Sequence, residues 1–309
     1  MWDWQVTPSV TMTNTIRIDH AQLTYRGTPA LFSGLTSAAF NQVRITEPSV
    51  NAGLVWKATE KDTLRLTLAR GVRLPTLVEQ GIQFDPVTVG PIAYYGKPNL
   101  APSIVWNAEL DYDRLLPAIA SELRTALFAQ RTDNVITSAF GGPLTFTPPG
   151  LLAERATNAG YSTAIGAEVG IKGRVPSGWR WNLSYALAVT TDHTSLNKEG
   201  TLLSTQFYSR SVPAHVVIAG IGYARDKWEA GLMARWQSSF LDARAGNGLS
   251  GLQLVNVNNY VTFTARVGYR VLDTLTLALT AQQFNAPRLV TTAAAPTERR
   301  LIASATLRF

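Results

Sequence analysis

The stretch Val261–Gln282, VTFTARVGYRVLDTLTLALTAQ, decides the fold class. Val261, Phe263, Ala265, Val267 and Tyr269 alternate with Thr262, Thr264, Arg266, Gly268 and Arg270. After Leu272-Asp273 the alternation restarts, with Leu275, Leu277, Leu279 and Ala281 against Thr274, Thr276, Ala278 and Thr280. A two-residue period means strands, so the stretch predicts a hairpin with one apolar and one polar face. In a soluble sandwich the apolar face points inward, whereas in a membrane barrel it points out to lipid.

The same period recurs along the chain. Leu64, Leu66 and Leu68 alternate with Arg65, Thr67 and Ala69; Trp106, Ala108, Leu110 and Tyr112 with Asn107, Glu109 and Asp111; Trp179, Trp181, Leu183 and Tyr185 with Arg180, Asn182 and Ser184. The segments near 120–137 and 205–225 are less regular. No stretch carries a 3.6-residue period, so essentially no helix is expected. The expected class is all-β, an antiparallel up-and-down transmembrane barrel with about 13–14 strands in this chain.

Bulk composition is consistent with that class. The 309 residues carry 46% hydrophobic side chains and a mean hydropathy of +0.02. Lipid-facing and lumen-facing residues cancel in the average of a barrel. The longest apolar run, near 216–222, is far short of the ~18 residues of a membrane helix. Absence of cysteine rules out disulfides and thiolate metal sites. The net charge of +7 is scattered singly along strands, so no nucleic-acid partner is expected.

Four further features favour a membrane. Many runs exceed the ~5–6 residues usual in soluble sheets and reach the ~9–11 that cross a bilayer at a tilt. Short turns alternate strictly with long Gly-, Pro- and Ser-rich connections near 27–45, 80–102, 138–158, 192–205, 242–256 and 286–297. Outer-membrane barrels place short turns in the periplasm and long loops outside. Trp4, Trp56, Trp179, Trp181, Trp228 and Tyr269 lie beside the short turns, as do Tyr112 and Tyr223. They read as a periplasmic aromatic girdle. The last strand alternates to its end and closes on Leu307-Arg308-Phe309. Leu307 and Phe309 look like the signal read by the barrel-assembly machinery.

In this arrangement Arg65, Glu109, Asp111, Glu168, Arg180, Glu229, Arg235, Arg266 and Arg270 fall on the polar phase and are expected to line the lumen. A ladder of ion pairs holding the wall is one use for them; a passage biased toward anions is another. His20, His193 and His215 have no partner at metal-ligand spacing, and Asp192-His193 lacks a nucleophile motif. No enzyme activity, metal or cofactor is therefore expected.

Four stretches resemble one family, the TonB-dependent outer-membrane receptors. ARGVRLPTLVEQ (69–80) resembles their Arg-rich strand and Pro loop. YGKPNLAPSIVWNAELDYD (95–113) resembles their Gly-Asn-Pro-Asn-Leu-x-Pro-Glu loop and following strand, with Lys97 for the usual Asn and Ser103 for the usual Glu. SVPAHVVIAGIGY (211–223) looks like their Pro-x-His strand, and 258–288 like their penultimate hairpin, with Gln283-Phe284-Asn285 a partial match.

The resemblance implies that residues 1–309 form the C-terminal part of a 22-stranded barrel in the outer membrane of a Gram-negative bacterium. It implies energy-coupled uptake of a scarce nutrient, a ferric siderophore or similar metal chelate. Implied partners are outer-membrane lipid and lipopolysaccharide, the assembly machinery and a small-molecule or metal-chelate ligand. The TonB complex is a partner only where a plug precedes the barrel; neither plug nor TonB box is visible here. Family ligand contacts come from extracellular loops and the upper wall, which nominates Tyr94 and Tyr95, as exposed aromatics, with Arg70 and Arg73. An odd strand count, a C-terminus in the periplasm and no signal peptide together predict missing upstream sequence. A passive or structural barrel without a plug and a secreted soluble β-sandwich binder are the competing readings.

Overall fold

The computed structural model describes residues 1–84, 92–137, 144–147, 151–194, 208–245 and 252–308. Thirteen strands form one antiparallel sheet in which each pairs with its neighbours in sequence. They are β1 (Trp2–Thr7), β2 (Val10–Gln22), β3 (Arg44–Lys57), β4 (Asp62–Arg73), β5 (Ser103–Leu116), β6 (Ser121–Asp133) and β7 (Gly160–Arg174). The series continues with β8 (Trp179–Thr194), β9 (His215–Arg225), β10 (Trp228–Gln237), β11 (Tyr260–Arg270), β12 (Leu275–Gln282) and β13 (Arg300–Leu307). The irregular segments near 120–137 and 205–225 supply β6 and β9. Strands of up to 16 residues, as in β8, are long enough to cross a bilayer and project beyond it. Among the described residues the edge strands β1 and β13 do not pair with each other. Among the described residues no second sheet of comparable size packs across this one, so the β-sandwich reading is set aside.

The connections fall into two classes. Tight turns such as Pro8-Ser9, 175–178 and Asp226-Lys227 join strands at one end. Long connections leave the other end and build small sheets of their own. In one of these, Ile92–Tyr95 pairs in parallel with Leu151–Arg155, and Gln83–Phe84 and Leu144–Thr147 flank them. The expectation of no helix is corrected. Ser37–Asn41 and Leu77–Gly81 are α-helices. Each has five residues, too few for a 3.6-residue period to register, and each is set by a cap. Thr36 accepts from the Ala39 amide, and Thr76 with Glu79 forms a reciprocal capping box.

Exposure along the strands settles the direction of curvature. On β5, Trp106, Ala108 and Leu110 are exposed while Asn107, Glu109 and Asp111 between them are half-buried. On β12, Leu277 and Leu279 are 46% and 49% exposed, with buried Ala278 between them. This inverts the order of a soluble protein. On a curved sheet, side chains crowd on the inner surface and splay on the outer one. The polar phase is therefore the inside of the curve, and the apolar phase is the outside.

Candidate functional site

Register shows which side chains share the inner face. Cα pairing runs Thr67–Glu109–Phe128–Gly166 across β4 to β7, and Arg65–Asp111–Ala126–Glu168 beside it. Across β8 to β12 it runs Arg180–Gly222–Gly231–Arg266–Thr280. Arg235 lies opposite Thr262, Glu229 opposite Gly268, and Arg270 opposite Thr276. All nine charges nominated for the lumen thus stand on one face. At the tight-turn end a chain of charges links four strands. Arg65 meets Asp113 at 2.7 Å, Asp113 lies 4.0 Å from Arg124, Arg124 meets Glu122 at 2.6 Å, and Glu122 meets Lys172 at 3.1 Å. Arg266 pairs with Glu229 at 2.8 Å.

The opposite face carries the aromatic end. Trp4, Trp56, Trp179, Trp181, Trp228 and Tyr269 all project from the outer phase beside the tight turns. Trp179 packs on Tyr223 with ring centroids 4.9 Å apart, and Trp228 on Tyr269 at 4.7 Å. Such pairs add about 0.5–1.5 kcal/mol beyond area burial. Leu307 lies on this outer face opposite Leu275 and is exposed. Phe309 lies outside the described residues.

At the other end the long connections pack on one another. Tyr25 stacks on buried Phe40 at 4.6 Å. The Gln80 amide donates to the Pro98 carbonyl at 3.0 Å, and Asn158 joins both backbone groups of Ala101 at 2.9 and 3.0 Å. Ala93, Tyr95 and Ala153 form a small core covered by Ala30 and Phe32. Tyr95 is therefore buried, which corrects its expected exposure: pairing of Ile92–Tyr95 with Leu151–Arg155 turns the ring inward. Tyr94 is half-buried, and burial, then the nearby Glu154 carboxylate, raises its phenol above the ordinary value.

Arg70 and Arg73 do not stand together. Arg73 is on the inner phase and pairs with the capping carboxylate of Glu79. Arg70 is on the outer phase beside Trp106, with its guanidinium 5.6 Å from that ring and 2.8 Å from Glu47. The histidines are dispersed. His20 bonds Thr46 at 2.8 Å, His215 bonds Tyr185 at 2.8 Å, and His193 stacks on Tyr161. Asp192 accepts from the Ser209 amide at 2.7 Å.

Between the loops lies a cavity of about 900 Å³, lined by Arg44, Glu47, Lys97, Asn99, Arg155 and Thr157 among others. Three cations there meet one carboxylate, and Glu47 is already paired with Arg70. Arg155 donates to the Ser33 carbonyl at 2.6 Å and lies 5.6 Å from the Tyr95 ring. Burial lowers its pKa from the ordinary guanidinium value. Sequence reasoning missed Arg44, at the start of β3, and Arg155, in a long connection, which lie far apart in the chain. Lys97 carried a signal, as a departure from the family's loop motif.

A family model described as TonB dependent receptor-like, beta-barrel matches residues 1–282. No curated protein matches the sequence. Among solved structures, the FrpB iron transporter from Neisseria meningitidis (F3-3 variant) is 16% identical with a TM-score of 0.71, over 99% of this chain and 44% of that one. The copper transporter OprC is 14% identical with a TM-score of 0.69, over 99% and 47%. The ferric-catecholate import receptor Fiu from K12 E. coli is 18% identical with a TM-score of 0.64, over 99% and 43%. The chain spans less than half the length of these structures.

Proposed function

The chain belongs to the TonB-dependent receptor β-barrel family, whose members are transporters of the Gram-negative outer membrane, and from that premise we propose that residues 1–309 are one barrel segment of a nutrient-uptake receptor. The cargo is an anionic metal chelate, such as a ferric siderophore. One observation carries this reading: Arg44, Lys97 and Arg155 converge on the cavity between the long connections, above a wall whose inner face is polar. Long connections of outer-membrane barrels are extracellular, so the cavity is where an external solute arrives. Cations in excess over carboxylates attract and orient an anion. Uptake of this kind draws its energy from the TonB complex through a plug. Copper, iron and ferric-catecholate transport by the similar structures supports metal cargo as a class.

The test is uptake of radiolabelled ferric chelates by cells carrying the natural receptor as sole importer. Lys97→Glu is expected to raise the half-saturation concentration roughly tenfold, equivalent to ~1.4 kcal/mol, with receptor abundance unchanged. Identical uptake of anionic and neutral chelates by the variant and the parent would sink the charge assignment.

A further inference from the structure

Lys97 lines the loop cavity half-buried, and among the described residues it makes no ion pair. A lysine ammonium rides on a flexible four-carbon stem, so the place where its backbone is held decides the space it sweeps. That backbone is held by the short helix Leu77–Gly81. The Lys97 amide donates to the Glu79 carbonyl at 2.9 Å, and the Gly96 amide to the Ile82 carbonyl at 2.8 Å. The buried side-chain amide of Gln80 donates to the Pro98 carbonyl at 3.0 Å. Carbonyls in the last turn of a helix lack partners within it, and the Lys97 amide supplies the one that Glu79 needs. The approach is close enough to require glycine. A Cβ on Gly96 would lie 2.5 Å from backbone atoms of Gln80 and Gly81, which cannot turn aside as a side chain can.

The helix is in turn fixed to the wall through one side chain. Glu79 is 7% exposed, and both of its carboxylate oxygens are used. One accepts from the Thr76 amide at 2.8 Å and closes the capping box. The other pairs with Arg73 on the inner phase of β4. Arg73, nominated from the sequence as a cargo contact, is engaged by this pair. Glu79 thus holds the wall with its carboxylate and Lys97 with its carbonyl.

We propose that Glu79 is a positioning residue for Lys97, and that the Gly96 contact transmits its hold to the cavity. The inference rests on the uptake reading, which gives Lys97 an anionic cargo. Two measurements test it. In the first, a nitroxide is attached at Lys97→Cys in the natural receptor, otherwise free of cysteine and purified in detergent. Its spectrum is expected to be ordered with Glu79 in place and mobile in Glu79→Ala and Gly96→Ala. Glu79→Gln, whose amide oxygen still accepts from Thr76, should loosen it less. In the second, cells with Lys97 in place take up radiolabelled ferric chelates. Glu79→Ala should raise the half-saturation concentration of an anionic chelate by roughly threefold or more, because an unfixed cation must be ordered on binding. Maximal rate, receptor abundance and the half-saturation concentration of a neutral chelate should not change. In a Lys97→Gln background Glu79→Ala should add nothing, since the two residues act through one contact. Where heat-modifiable gel migration shows that Glu79→Ala does not assemble, Gly96→Ala takes its place in both measurements.

An unmoved nitroxide spectrum in these variants overturns the proposal. So does an uptake defect that is equal for neutral chelates or undiminished in the Lys97→Gln background, because the helix then only stabilises the loops. Parental uptake of the anionic chelate by Lys97→Gln alone would sink the charge assignment of the cavity, and the nitroxide would still decide the positioning.

Discussion

Gly166 stands directly across from Phe128 on the inner face, and a Cβ there would run into the phenyl ring and the Leu187 carbonyl. Gly173 accommodates Trp181 on the outer face in the same way, and Gly222 the side chain of Arg180. A bulky side chain can lie flat along the wall only where its cross-strand neighbour lacks a Cβ. Gly166→Val is therefore expected to destabilise the barrel by about 1–3 kcal/mol, the usual cost of overpacking. Urea unfolding of the protein in lipid vesicles measures it. Adding Phe128→Ala should restore only part of the loss, since the Leu187 carbonyl is backbone and cannot yield. The residue scale was poorly legible beforehand. Each glycine could be read from the sequence, but its cross-strand neighbour is set by register. Likewise Tyr94-Tyr95 looks like a loop aromatic pair until strand pairing buries one ring and leaves the other half-covered.

At the scale of the element, the β11–β12 hairpin has two environments, and its faces should respond differently to charge. Leu279 lies opposite Val267 and Ala303 on the outer phase, while Thr280 lies opposite Arg266 on the inner phase. Leu279→Arg places a cation against lipid, at a cost of ~2–4 kcal/mol near the bilayer midplane. Thr280→Arg adds only like-charge repulsion from Arg266, on the order of 0.2–1 kcal/mol, and Glu229 offsets part of that. Folding into vesicles, followed by heat-modifiable migration, should fail or slow for the first variant and proceed for the second. Equal behaviour would mean that the faces have been assigned the wrong way round. Element existence was largely legible, because strands of 10 or more residues with a clean two-residue period leave little ambiguity. The two five-residue helices were not, because a single turn and a half is shorter than the window in which helical periodicity can be seen.

For the whole molecule, the wall is polarised along its length as well as across it. Tight turns and the aromatic pairs occupy one end; the packed loops and the cavity of Arg44, Lys97 and Arg155 occupy the other. The absence of cysteine from this chain makes the orientation directly measurable. Ala295→Cys, exposed in the last long connection, should react with a membrane-impermeant maleimide on intact cells. Asp273→Cys, in the tight turn before β12, should react only after the outer membrane is permeabilised. Reaction of both on intact cells would contradict a single transmembrane orientation.

The sequence by itself determined the class of element, the number of wall strands to within one, the alternation of short and long connections, and the membership of most wall residues in one of two phases. Those properties are local: they follow from a two-residue period and from turn composition within a few residues. Strand length, loop alternation and the aromatic end already pointed the apolar phase outward; the tertiary structure supplied the bend that puts it there, because curvature belongs to the sheet and not to any strand. It also decided which distant residues meet. Arg155 reaches Ser33 across 122 positions of sequence, and Arg174 confronts Arg180 across a turn. The Val261–Gln282 hairpin shows the division plainly. Its alternation is written in the sequence, but its apolar side faces outward because the whole sheet bends away from it.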